Sequence, residues 1–415
     1  MPSSLPTTRR TALRLGAVAA AAALALTACG SRGASTDNGS GGGSSTKTAK
    51  IGVIAPLSGD LSALGLGIKN SVDLAVKQAN DSNAIPGWKL EVDAQDDQAS
   101  PDTGKNAASA LSSDDAVVGV VGTLNSSVAQ TVAPVLAAAH IIEVSPANTN
   151  PQLTQGPHWQ TAPKRVYDTY FRTCTTDAVQ GPFAARYVHD TLKITKVATV
   201  HDKKTYGQGL VATFTDEFKK LGGTVNTAET INPDDKNFTS VISKVKPGAP
   251  ELLYYGGEFP QSGPLSLQMK QSGLKIPLMG GDGMYSADYI KLSGGKTSAG
   301  DLATSVGAPT ATLASAKKFV ADYKAAGYKE PYEAYGAYSF DAANSIIDAL
   351  KVSLKSANAP ADARQATVDA MKDVSFNGVT GKVSFNEFGD TTSKVLTVYK
   401  DNGTDWVAAK TDTFK

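Results

Sequence analysis

Cysteine is nearly absent from this chain: its 415 residues hold only Cys29 and Cys174. No disulfide framework is available, and if Cys29 is modified Cys174 has no partner and packs as a small hydrophobe. Histidine is almost as scarce, and its four positions (140, 158, 189 and 201) have no zinc-ligand spacing. Neither G-x-S-x-G nor H-E-x-x-H occurs. Gly65-Leu66-Gly67 lacks the third glycine of a dinucleotide fingerprint, and Ile290 stands where a phosphate loop ending Gly294-Gly295-Lys296-Thr297 needs glycine. The formal charge of +1 comes with no basic face, which argues against nucleic acid, and with no polybasic run for lipid headgroups. Asp96-Asp97 admits reading as a metal or acid pair, but the helix expected from Pro101 favours a capping role. No catalytic set, metal or cofactor is expected.

The N-terminus carries Arg9, Arg10 and Arg14 without an acid, followed by an apolar stretch from Gly16 to Leu26. That stretch is shorter than the ~20 residues a membrane span requires, so it reads as an export signal rather than as an uncleaved anchor. Arg9-Arg10 leaves twin-arginine export open, although Thr11-Ala12-Leu13 lacks the usual Phe. Leu26-Thr27-Ala28-Cys29 has the pattern of a bacterial lipobox. The expectation is a signal peptide over 1–28, a lipidated Cys29 on the outer face of the cell membrane, and a Gly/Ser-rich tether over 29–49. A domain held there is cut off from cytoplasmic nucleotides and nucleic acid, which favours capture of a small solute.

From residue 50 onward, short apolar runs alternate with helical patterns. Strands are expected at 50–56, 89–94, 116–121 and 141–144, with helices at 67–79, 101–111 and 126–139 between them. The alternation restarts with helices at 177–187, 209–221, 237–245 and 265–272 and strands at 196–201, 251–255 and 276–279. Helices at 314–326, 335–350 and 363–372 follow, and then hairpin-like strands at 381–385 and 394–399. The implied fold class is α/β: two Rossmann-like lobes with parallel sheets.

Three polar clusters follow apolar strands, where open parallel sheets bind ligands. Gly122-Thr123-Leu124-Asn125-Ser126-Ser127 opens a helix, and its free N–H groups and hydroxyls suit a carboxylate, although a plain helix cap has equal weight. Ser145-Pro146-Ala147-Asn148-Thr149-Asn150-Pro151 is the second. The third is dispersed: Tyr206, Glu258 and Asp282, two acids and an aromatic that suit an ammonium group.

These clusters, in this order, resemble the leucine/isoleucine/valine-binding proteins of the type I periplasmic-binding-protein superfamily, which serve ABC importers. The resemblance runs from about Ile51 to Tyr399 and rests on five stretches: Ile51–Gly59, Asp96-Asp97, Ser145–Pro151, Val200–Gly209 and Tyr254–Gly257. It implies two lobes, 50–172 with 308–379 and 173–307 with 380–415, joined by three crossovers near 172–174, 304–308 and 379–382. It implies a cleft ligand, an amino acid or close analogue, delivered to an ABC permease and its ATPase by a monomeric protein without catalytic turnover. Ser126 and Thr149 match the hydroxyls that hold the ligand carboxylate, with Asn125 and Asn148 beside them. Ala147 matches a backbone partner, Tyr206 a cleft tyrosine, and Asp282 the acid that pairs with the α-ammonium. Leu64 and Glu258 stand where the family often has aromatic residues, and Ala99 and Asn125 where some members have a disulfide. An unpaired acid in a side-chain pocket is costly to bury. Glu258 therefore implies a ligand donor, a protein partner, or a side chain turned to water. Two other readings stay open: a sensory module for amides, urea-like or aromatic-acid compounds, and an exported enzyme.

Overall fold

A computed structural model describes residues 46–415. The expected signal peptide, Cys29 and nearly all of the tether lie outside the described residues. The first lobe begins with β1 (Lys47–Ala55), α1 (Ser62–Asp81), β2 (Trp88–Asp96), α2 (Pro101–Ser112) and β3 (Val117–Gly122). It continues through α3 (Ser126–Ala138), β4 (Ile142–Ser145), α4 (Gln152–Gln155) and β5 (Tyr170–Arg172). Its five strands lie in the order β2-β1-β3-β4-β5, all parallel. Every residue of β3 is buried, as a strand covered by helices on both faces requires.

The second lobe contains α5 (Asp177–Arg186), β6 (Lys196–His201), α6 (Thr205–Lys220), β7 (Thr224–Thr230) and α7 (Thr239–Val245). Next come β8 (Leu252–Gly256), α8 (Phe259–Gln271), β9 (Leu278–Gly280), α9 (Ala287–Leu292) and β10 (Leu302–Val306). The chain then adds α10 (Lys317–Ala325), α11 (Gly336–Ser353), α12 (Arg364–Met371) and the hairpin β11 (Ser375–Gly378) with β12 (Gly381–Ser384). It ends with β13 (Val395–Asp401) and β14 (Trp406–Thr413). Helix α11 packs on the first lobe, where Ile346 lies against Gly119 of β3.

Three expectations need correction. The second sheet, ordered β14-β13-β10-β9-β8-β6-β7, is mixed rather than parallel throughout, because β13 pairs antiparallel with β10 and β14 antiparallel with β13. The turn at Asn402–Asp405, with Asn402 Oδ1 accepting the N–H groups of Thr404 and Asp405 at 2.9 Å, folds β14 directly back on β13. Next, the strands near 381–385 and 394–399 are not each other's partners: β12 pairs with β11, and a single bridge, Phe385–Thr391, lies between the two expected strands. Finally, Asp96 and Asp97 do not cap α2, whose cap is Ser100. Asp96 instead accepts the Leu57 N–H at 2.8 Å and the Ser58 hydroxyl at 2.5 Å, holding the loop after β1. Asp97 accepts the Ala99 N–H at 2.8 Å, and burial pushes its carboxyl up to about 7.

The chain passes between the sheets at 172–177, 306–317 and 385–395. The turn at 379–380 stays with the first lobe, because Asp341 of α11 accepts the N–H groups of Val379 and Thr380 at 2.9 Å. Arg172, fully buried, joins two passages: its Nε meets Asp390 Oδ1 at 2.6 Å. Its Nη1 donates to the carbonyls of Asn148 at 2.7 Å and Asn150 at 2.9 Å. Cys174 is buried beside Val306 and Tyr338, and burial pushes its thiol well up.

Candidate ligand-binding cleft

The C-terminal ends of both sheets face each other across a cleft. Two glycines set the second lobe's side of it. A Cβ on Gly207 would lie 2.3 Å from the Gly256 carbonyl oxygen, and one on Gly256 2.1 Å from that of Gly207. The start of α6 therefore lies against the end of β8, bringing Tyr206 beside the loops that carry Glu258 and Asp282.

Leu64, Leu124, Asn125, Ser126 and Ala147 from the first lobe meet Tyr206, Glu258, Asp282 and Gly283 from the second around a cavity of about 10 Å³, with Tyr335 completing its lining. That volume is roughly one water's worth. Seven of the nine binding residues expected from sequence thus converge here. Asn148 and Thr149 do not line it. The Asn148 amide is held internally, donating to the Leu124 carbonyl at 2.9 Å and accepting the Tyr170 hydroxyl at 2.8 Å. Thr149 is fully buried with its hydroxyl unpaired.

On the first lobe, Asn125 occupies the cap position of α3 without capping it, since its Nδ2 donates to Glu258 Oε1 at 2.8 Å. The start of α3, with the Ser126 side chain, is left facing the cavity without a side-chain cap, and Asn125 Oδ1 is buried without a donor. Ala147 was expected to offer a backbone partner; its N–H donates to Ser145 Oγ at 3.2 Å, leaving the carbonyl as the main-chain group available at that position.

On the second lobe, Asp282 is 1 % exposed and accepts three bonds, each 2.8 Å: Gln180 Nε2 and the Tyr206 hydroxyl on Oδ1, the Tyr335 hydroxyl on Oδ2. Burial raises its pKa, partly offset by those donors. Asp177 lies behind it, with burial and then the Asp282 charge pushing it up to about 8. Glu258, expected as a problem of unpaired charge, has a partner: Lys204 Nζ makes a short ion pair with its Oε2. The same ammonium lies 3.6 Å from Asp202 Oδ2. Burial works against the Lys204 charge, but Glu258 and Asp202 outweigh it and raise its pKa. Burial and the Glu258 charge push Asp202 up to about 7.

Sequence reasoning missed Lys204, Tyr335, Gln180 and Leu124. Lys204 carried a signal, standing two residues before Tyr206; Tyr335 was visible only as the expected start of a helix. Further bonds cross the cleft. Asn150 Nδ2 reaches the Thr205 carbonyl at 2.9 Å, the Thr205 hydroxyl reaches Gln130 Oε1 at 3.0 Å, and Lys236 meets Asp60 at 3.1 Å. The two lobes are thus in contact around the cavity.

Two α/β lobes joined by three passages, with polar groups of both turned onto one cavity, define a protein built to hold a small ligand between domains. The family model described as periplasmic binding protein matches residues 48–403. A Leu/Ile/Val-binding protein homolog 1 of Brucella abortus is 33% identical over 360 residues, covering 86% of this chain and 92% of that protein. BraC3, a Leu/Ile/Val-binding protein of Rhizobium johnstonii, is 33% identical over 361 residues, covering 87% and 92%. The leucine binding protein LivK of Thermotoga maritima superposes with a TM-score of 0.78 at 25% identity, over 88% of this chain and 99% of that one. An R. palustris solute binding protein in complex with benzoate shares the fold at TM-score 0.76 and 19% identity, over 88% and 97%. The chain belongs to the periplasmic-binding-protein family, in its Leu/Ile/Val-binding branch, with the type I fold.

Proposed function

We propose that the chain is the solute-binding component of an ABC importer, tethered to the outer face of the cell membrane through Cys29, and that it captures an α-amino acid or close analogue. The observation that carries this is the pairing across one cavity of an uncapped helix start on the first lobe with a buried, triply hydrogen-bonded Asp282 on the second. The ligand carboxylate meets the first turn of α3 and Ser126, where the helix dipole and free N–H groups favour an anion. The ammonium meets Asp282. Leu64 and Leu124 line the remainder, and with Glu258 already paired to Lys204 the pocket favours an uncharged side chain. The lobes part about the passages at 172–177, 306–317 and 385–395 to admit the ligand, close over it, and deliver it to a permease.

A thermal-shift screen of the protein, unfolded and refolded to remove carried-over ligand, tests this. At 100 times its dissociation constant a ligand adds ~2.7 kcal/mol of stability. Leucine, isoleucine or valine is expected to give that shift. Stabilisation only by sugars, urea or acids without an ammonium group would overturn the amino-acid reading. Loss of membrane association in Cys29→Ala checks the tether.

A further inference from the structure

Glu258 has a position that ligand capture alone does not require. Of the residues around the inner cavity, it is the one that also lines a second recess of about 630 Å³ at the cleft mouth. That recess is bordered by Ser58, Asp60, Gln98, Lys203 and Pro233, among others. The carboxylate stands between the two spaces and is held from both lobes: Asn125 donates to Oε1 at 2.8 Å, and Lys204 is bound to Oε2. Its backbone is fixed as the cap position of α8, with buried Phe259 and Pro260 following in the first turn and its carbonyl accepting the Ser262 N–H at 3.2 Å.

We infer that the Asn125–Glu258–Lys204 group is the end wall of the side-chain pocket, and that it sets the length and charge of the side chain the protein accepts. This rests on the amino-acid reading above. A longer apolar chain has to push aside a carboxylate bonded on both oxygens, leaving a buried charge without its partner. A cationic chain finds its counter-ion already taken by Lys204. The wall thus rejects both classes and passes short, uncharged side chains. Lys204 has an alternative partner in Asp202, whose Oδ2 is otherwise without a hydrogen bond. Glu258 can therefore be removed without stranding the ammonium.

The test is calorimetric titration of the refolded protein with valine, leucine, methionine, phenylalanine and lysine. In the wild type, valine or leucine is expected to bind at least ~10-fold tighter than phenylalanine and lysine, the discrimination that a few misfitting atoms provide. Glu258→Ala merges the cavity with the recess and brings methionine and phenylalanine to within roughly threefold of leucine. Lys204→Met leaves Glu258 without its cation, so lysine binding strengthens ~10-fold relative to leucine as its ε-ammonium takes the vacated place. Circular dichroism on each variant establishes that it is folded. Wild-type protein that binds phenylalanine or lysine as tightly as valine overturns the wall. So does a folded Glu258→Ala variant with unchanged preferences. Wild-type protein that binds none of the five, and that the thermal-shift screen shows stabilised only by compounds without an ammonium group, overturns the amino-acid reading itself, and this inference with it.

Discussion

Where the first lobe meets the cavity, it presents Leu64, Leu124, Asn125, Ser126 and Ala147, none of them charged. The second lobe's side is charged: Asp282 and Glu258 line the cavity, Asp177 and Asp202 are buried close behind, and Lys204 is the ammonium among them. The first side depends on backbone dipoles, which bring no Born penalty of their own when shielded from water. The second depends on buried charges, each needing a partner to be tolerated. One side is thus suited to an anionic end of a ligand without any cationic side chain. The other is suited to a cationic end and gathers the perturbed acids Asp282, Asp177 and Asp202.

The largest expected effect of breaking this division comes from Asp282→Asn. It removes the charge but keeps the shape, and should weaken amino-acid binding by roughly 100-fold, about 2.7 kcal/mol, as read by calorimetry. Ligands without an ammonium group should lose far less; equal losses for both classes would remove Asp282 from its assigned role. Because burial raises the Asp282 pKa, wild-type binding should weaken as the pH falls through that raised value, when the carboxyl takes up a proton.

Glu143 of β4 supplies the next test. It lies on the first lobe away from the cavity, an acid 1 % exposed with both oxygens unpaired, and burial holds its pKa well above the usual range. Its proton is kept in the folded state and lost in the unfolded state above about pH 4.3. Folding stability from this group is therefore fully present below that pH and declines as the pH rises toward the folded-state value. Glu143→Gln should remove the decline. Its stability advantage over the wild type, read from thermal unfolding, should widen from pH 5 to pH 8 by about 1.4 kcal/mol per pH unit for as long as the folded carboxyl keeps its proton. A constant difference across that range would mean that Glu143 is charged or bonded in the folded protein. The smallest effect expected is from Ser126→Ala, which takes one neutral hydroxyl from the carboxylate end and should cost ~1 kcal/mol in binding, about fivefold, with the melting temperature of the free protein unchanged. A loss as large as that of Asp282→Asn would erase the contrast between the two sides.

Most buried strands were legible because they are short runs without polar interruption, such as Val117–Gly122, but buried β5 (YFR) and β10 (LATSV) were not, being too short or broken by Thr and Ser. β7 (TVNTAET) and β14 (WVAAKTDT) were not: both are edge strands with mostly partial or full exposure, and neither carries a buried face to mark it. At the cleft, Ser126, Tyr206 and Asp282 announced themselves by following apolar runs. What sequence withheld was pairing. Lys204 and Glu258 are 54 positions apart, and only the packing of α6 on the end of β8 puts them together. The structure thus resolves the question that Glu258 posed in favour of a protein partner.

Arg172 has a mechanical consequence. One guanidinium grips the carbonyls of Asn148 and Asn150 in the cleft loop and the carboxylate of Asp390 in a connecting segment. The loop and that segment are therefore riveted to a common point, and torque on one reaches the other without crossing the sheet. Of the three passages, the one at 306–317 is the one this guanidinium does not tie. If the lobes part as proposed, the two tied passages turn as one body, and the Lys236–Asp60 contact across the cleft has to break while the Arg172 bonds hold.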